Sequence, residues 1–299
     1  MKKTLLVSLF VTVLAAVVYA QYGGRMRRSR WGDEGEYPKT AREARPNDSD
    51  LPSWTNPPAY SKDVFTFCRI VYDNGGYGRR GSGWATDLVE WRGDSGGGGC
   101  SDLNLSWRLQ QMTSMRTDPD GRILRLTDPD LVNYPFIYIV EPGGLYFSDE
   151  EVAALRTYLL NGGFLMMDDF WGESALENVT EQLKRVFPDR NFTELPMEHP
   201  VYHCVFEIKS KGQVPNAVTG ESSQYDGVTW EENHDGDTRT VHHLGISDDK
   251  GRLMVMACHN TDNGDGWERE SWSDYYFHNF SEKVSYPLGV NIIFYAMTH

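Results

Sequence analysis

Two adjacent carboxylates, Asp168 and Asp169, close the apolar run of FLMMDDFWG. Paired carboxylates at the end of a strand can hold a divalent cation or exchange a proton with a bound substrate. Two readings follow: the pair stands at the mouth of a cleft, or it caps and turns into the helix that begins at ESALENVTEQLKRVF. Further donors lie in HPVYH, where His199 and His203 are four residues apart. Pro200 opposes a helix there, so only a turn could bring the two imidazoles together. With Glu198, Asp168 and Asp169 they make a mixed nitrogen and oxygen set suited to zinc, manganese or iron. The bland alternative is a hydrogen-bonded turn around one part-buried histidine.

A second constellation is CHNTDNGDGWE, which places His259, Asn260, Asp262, Asn263, Asp265 and Glu268 on a glycine-rich stretch. Its oxygens suit calcium, although the ligand schedule of an EF-hand is missing, and a loop held by Asx turns explains the same residues. A divalent metal is the one cofactor these residues suggest, with Asp169, His199, His203, His259, Asp262 and Asp265 as candidate ligands. If reaction chemistry exists, Asp168, Asp169 and His203 are its candidate acid–base groups. NGGYGRRGSGW adds Arg79 and Arg80 for a carboxylate or phosphate, and Trp84, Asp87 and Trp91 for stacking and hydrogen bonding. Trp171 and Trp267 can cover the apolar side of the same cleft.

These groups meet only if the fold gathers their loops. VFTFCRIVY, RILRL, FIYIV, FLMMDD, TVHHLGIS and GRLMVMAC are rich in β-branched, aromatic and other apolar residues and predict strands. DLNLSWRLQQMT, with Asp102 as its cap, predicts a helix, as do SDEEVAALRTYLLNGG and SYPLGVNIIFYAMTH. In the second of these, Ser148 caps, Glu150 and Glu151 favour the first turn, and Gly162 with Gly163 stops the helix. Strand, helix, strand in direct succession predicts an α/β fold with a mostly parallel central sheet flanked by helices and carrying loop insertions. Open parallel sheets place ligands beyond the carboxyl ends of their strands, where Asp168 and Asp169 would emerge. The polar stretch at 209–240 reads as an insertion with one short hairpin.

The 299 residues carry 43 acidic and 29 basic side chains, a formal charge of -14 that disfavours nonspecific nucleic-acid binding. MKKTLLVSLFVTVLAAVVYA places two lysines before an apolar run and ends in small residues, the pattern of an export signal at 1–20. The alternative is an uncleaved membrane anchor, since the apolar run sits at the short end of spanning length; after cleavage no transmembrane segment is expected, and the expected location is the periplasm or outside the cell. A basic, proline-containing flexible leader follows at 21–60 as a tether, then a single domain at 61–299. In an oxidising compartment Cys68, Cys100, Cys204 and Cys258 could pair as disulfides, although Cys68 and Cys258 sit in strand-like runs that equally suit buried thiols.

YPFIYIVEPGGLYFSDEEVAALRTYLLNGGFLMMDDFWG resembles a bacterial domain of unknown function, DUF4159. The likeness extends to RIVYDNGG, GWATDLVEW, DLNLSWRLQQMTSM, LTDPDL, HPVYH and TDNGDGWE in the same order. It implies a class I glutamine-amidotransferase-like fold and no particular reaction. Amidotransferases of that kind carry a cysteine nucleophile in an elbow after a central strand. The corresponding positions here are Asp168, Asp169 and Phe170, so conventional amidotransferase activity is not expected. Two functions remain. One is a noncatalytic binding or assembly domain in the cell envelope, with an envelope protein or a small polar ligand as partner. The other is a metal-dependent hydrolase acting on a small polar or glycan-like substrate.

Overall fold

The computed structural model of the protein describes residues 37–45, 51–60, 63–75, 83–88 and 99–299. The export signal at 1–20, the leader up to residue 36, Arg79, Arg80 and Trp91 lie outside the described residues. The leader's later part, expected as a flexible tether, is packed where it is described. Its short helix α1 (Ala41–Ala44) buries both alanines. The amide of Ile123 donates to Lys39 O, and Arg42 reaches Pro52 O and Pro119 O. Residues 37–299 form one compact unit.

Strands β1 (Cys68–Val71), β2 (Asp73–Asn74), β3 (Arg122–Arg125), β4 (Phe136–Val140), β5 (Leu145–Tyr146), β6 (Phe164–Phe170), β7 (Thr193–Glu194), β8 (His242–Ser247) and β9 (Leu253–His259) build two sheets. The main sheet has the order β3-β1-β4-β6-β9-β8-β7. Pairing is parallel from β3 through β9 and antiparallel where β8 joins β9 and β7. β2 and β5 form a separate antiparallel pair. β4 and β9 are buried at every position, as expected of strands covered on both faces.

Helices α2 (Ser101–Met112), α3 (Asp149–Leu160) and α4 (Gly172–Val186) follow the alternation. The start of α3 is fixed by local chemistry: Ser148 Oγ accepts from the amide of Glu151, whose carboxylate accepts in return from the amide of Ser148. The polar stretch at 209–240 forms helix α5 (Ala217–Asp226), not the expected hairpin, with Asn216 capping its first turn. CHNTDNGDGWE likewise ends in a helix, α6 (Asn263–Glu268), capped by Asp262. A short helix α7 (Asp274–Tyr276) runs through a π-helical stretch (Phe277–Ser285) into the closing helix α8 (Tyr286–Thr298). Pro287 stands at the start of α8, directly after the π-helical stretch.

Phe136, Tyr138 and Val140 of β4 point to one face, where Leu105 and Leu109 of α2 and Ile292 of α8 close over them. Ile137, Ile139, Leu165 and Met167 alternate to the other side and are equally buried. All four cysteines are free thiols. Cys68 on β1 and Cys258 on β9 are separated by β4 and β6, about 14 Å at ordinary strand spacing, far beyond disulfide reach. Burial pushes the Cys100 thiol up to about 12 and those of Cys68 and Cys258 well upward, which makes them packing groups.

One buried cation organises the carboxyl side of the sheet. Arg69 on β1 is fully buried, and all five of its N–H groups are satisfied. Nε and one terminal nitrogen donate to Asp102, the same terminal nitrogen to Ser101 Oγ, and the other to Trp84 O and Thr86 O. Asp102 is therefore the partner of Arg69 in the first turn of α2, and the expected role as helix cap falls to position 100, whose side chain makes no capping bond. Removing the arginine alone would leave Asp102 buried and unpaired. Arg69→Met is expected to destabilise the domain by about 3–5 kcal/mol in urea unfolding, with Arg69→Met/Asp102→Leu recovering a large part of the loss.

Candidate functional site

The sheet pairing explains why two aspartates stand side by side. β6 and β9 lose register between Met167 and Phe170: Met167 faces Ala257 and Phe170 faces His259, so two residues of β6 oppose Cys258 alone. This bulge breaks the strand's alternation and re-aims one side chain. Asp168 stays beneath α6, where it accepts from Asn263 Nδ2 at 2.8 Å, the amide of Gly264 at 2.9 Å and Tyr138 Oη at 3.1 Å. Burial pushes its carboxyl up to about 6 against the pull of those bonds. Asp169, at φ +55°, turns to a cavity beyond the strand ends and accepts from Trp171 Nε1 at 3.0 Å.

That cavity has a volume of about 470 Å³. Its acidic wall is drawn from several elements: Asp87 from the connection between β2 and α2, Glu141 from the end of β4, Asp169 from β6, and Asp262, Asp265 and Glu268 from α6 and its cap. Glu231, Trp171, His234 and Trp272 complete it, with Arg269 at one edge. Asp87, Glu141 and Asp169 all have positive φ, a backbone state that costs a non-glycine residue energy and clusters at functional sites.

The insertion folds over as a roof, and side chains pin it to the sheet. Asn260 Oδ1 accepts from the amide of Gly172, while its Nδ2 donates to Asp237 O and Thr240 O. The amide of Ala217 donates to Asp265 Oδ2, and that of Val214 to Thr261 Oγ1. Glu231 is held by Asn216 Nδ2 at 2.7 Å and by His234, whose ring stacks on Trp171.

Crowding dominates the electrostatics. Burial, then Glu268 and Asp265, raises the Asp87 carboxyl well above its ordinary range. Burial, then Glu141 and Glu231, does the same to Asp169; burial, then Asp169 and Asp265, raises Asp262. Glu268 is pushed up to about 8 by burial and by Asp265, even with Arg269 Nε at 2.8 Å. Asp87, Asp265 and Glu268 each offer a carboxylate oxygen within 4.8 Å of the others. Asp87 Oδ2 is buried without a hydrogen-bond partner, and it lies against Gly264, where a Cβ would stand 2.1 Å away.

Six residues singled out by sequence therefore line one cavity: Asp87, Asp169, Trp171, Asp262, Asp265 and Glu268. The others stand elsewhere. His199 packs on Tyr295, whose hydroxyl accepts from the amide of Leu253 at the start of β9, the opposite end of the sheet. His203 is exposed and engaged by Met197 O and Glu207, so the expected entry of HPVYH into the site does not occur. His259 lies between Phe170 and His242 with Nε2 on Gly172 O at 2.9 Å, outside the lining. Trp84 and Trp267 are buried; the Trp267 ring packs on Phe67 and Tyr138. Glu141, Glu231, His234 and Trp272 were missed. Glu141 directly follows FIYIV, and the rule that found Asp168 and Asp169 would have found it.

The crowding has a signed pH consequence. Asp169 titrates higher folded than unfolded, so the stability it allows is full below about pH 4 and falls as pH rises through the folded value. Asn at 169 removes the charge, keeps an acceptor for Trp171 and tolerates the left-handed backbone. In chelator-containing buffer Asp169→Asn is expected to leave Tm unchanged at pH 4 and to raise it by roughly 2–4 °C at pH 8 in thermal melts.

No curated protein matches the chain in sequence. Residues 97–297, which carry α2 through α8 and most of the cavity wall, match the family described as Domain of unknown function (DUF4159), and the chain belongs to that family.

Proposed function

We propose that the protein is a binding domain that takes a small polar ligand carrying a protonated amine, and that it does so in the cell envelope after export. The observation that carries this reading is the lining: seven carboxylates converge on one cavity with a single arginine and a single histidine. Such a field concentrates cations and repels nucleic acid. Trp171 and Trp272 offer ring faces for the ligand's apolar surface or its charge. The export pattern at the amino terminus supports the location, and no helix among the described residues is long and apolar enough to cross a membrane.

A class I glutamine-amidotransferase-like descent of the sheet is part of this reading, supported by the strained residue near the carboxyl end of the central strand β6. That residue is an aspartate, and no cysteine or serine among the described residues lines the cavity, so the cysteine chemistry of amidotransferases has no nucleophile. Asp169 also favours a second reading, a metal-dependent hydrolase of small polar or glycan-like substrates, because a strained carboxylate at the strand end is where an acid, base or nucleophile would be held.

Calorimetric titration with glucosamine and putrescine, beside glucose and 1,4-butanediol, separates charge recognition from general polarity. The amines are expected to bind at least about tenfold tighter than their neutral counterparts, with affinity falling as salt rises. Asp169→Asn and Glu231→Gln should each weaken them. Equal binding of neutral and charged probes, or amine binding indifferent to both substitutions, would sink the proposal.

A further inference from the structure

The carboxylates are not spread evenly around the cavity. Asp87, Asp265 and Glu268 gather at its floor, each nine-tenths or more buried, with one oxygen apiece inside a 4.8 Å span. Oxygens facing one another across a calcium ion at about 2.4 Å stand about 4.8 Å apart, so a single hard cation can touch all three. Arg269 meets Glu268 at 2.8 Å and Asp265 at 3.7 Å through Nε.

A cluster of acids could also be packing that tolerates its own repulsion, but one atom is not accounted for in that way. Asp87 lines the cavity, and its Oδ2 is buried with no hydrogen-bond partner. An unpaired buried carboxylate oxygen is costly unless something is meant to meet it. The surroundings hold it there deliberately. Arg69 fixes the carbonyls of Trp84 and Thr86, the amide of Ser101 donates to Asp87 O at 2.9 Å, and Asp87 itself is held at φ +61°. Gly264, with no Cβ to obstruct, lets α6 close to this oxygen. Asp265 Oδ2 is oriented by the amide of Ala217 and Asp265 N by Asp262 Oδ1, so α6 presents its two ligands from a fixed turn.

We infer that the cavity floor is a divalent-cation site in which Asp87, Asp265 and Glu268 each supply a carboxylate oxygen. All-oxygen carboxylate ligation selects hard ions, and the loose span suits calcium better than the smaller, strictly octahedral magnesium. The inference rests on the reading of this cavity as a binding site, and it adds a resident ion beneath the organic ligand. The ion would also give that ligand's hydroxyl or carboxylate oxygens a partner that the protein wall lacks.

The test uses the full mature chain, stripped with EDTA and dialysed. Calcium chloride, then manganese and magnesium chloride, are titrated calorimetrically, with thermal melts in parallel. One calcium is expected to bind with Kd below about 1 mM, the range of exported calcium modules, and to raise Tm reversibly. Asp87→Asn and Glu268→Gln keep side-chain shape, and each should weaken calcium roughly tenfold or more, while Asp249→Asn, an exposed carboxylate, changes nothing. Melts in EDTA verify that both variants fold. Absence of binding by all three ions at 5 mM (about five times the expected limit), or unchanged affinity in folded Asp87→Asn and Glu268→Gln, overturns the site. Absence of ion binding by the unsubstituted chain with its amine binding intact rejects this inference alone; absence of both rejects the cavity reading as well.

Discussion

A guanidinium buried in the sheet sets the geometry on which the rest of the carboxyl edge depends. Arg69 lies on β1, yet its donors reach the first turn of α2 and the two carbonyls that precede and flank Asp87. A buried charge must be met on every donor, so the backbone of residues 83–88 has little freedom in where it runs. The energetic return on such a pair, set against apolar replacements, is small. Its use here is positional: it carries a loop from an outer strand inward over the sheet, until Asp87 faces α6.

The middle of the sheet solves a different problem. Strand geometry would send neighbouring side chains to opposite faces, and both Asp168 and Asp169 must be accommodated near a strand end that is packed on each side. The bulge in β6 divides their roles. Asp168 becomes a fixed acceptor that ties β6 to β4 and α6 through Tyr138, Asn263 and Gly264. Asp169 is left at a strained backbone angle among other acids. The stability lost by that arrangement is local, while α3, α4, α2 and α8 bury the large apolar faces that hold the domain together.

Local signals in the chain were readable where one element decides its own form. The Ser148 and Glu151 capping box starts α3 without outside help, and the strand-like runs lie where the sheet has them. The carboxyl-end rule placed Asp169 and Asp262 on the correct rim. What sequence could not convey was long-range. His199 and His203 have a ligand-like spacing, but Tyr295 and Leu253 hold HPVYH near the far end of the sheet. Trp267 is near Asp265 in sequence and turns inward because α6 makes half a rotation between them. Glu231 and His234 belong to a polar stretch without periodicity, and distant partners such as Asn260 and Thr261, nearly thirty residues later, bring that stretch over the site.

The way the roof is fastened ties its fate to that of the sheet. Asn260 follows β9 directly and grips Gly172 on one side and Asp237 and Thr240 on the other, while Thr261 and Asp265 take the amides of Val214 and Ala217. These bonds join the insertion to the end of a central strand, with no hinge between them. Opening the roof therefore requires breaking the bonds that Val214 and Ala217 make to the segment after β9, which couples its opening to the sheet edge. A ligand would then gain and lose access through side-chain rearrangement at the rim, and exchange between free and bound states would be gradual in structure even where it is slow in time.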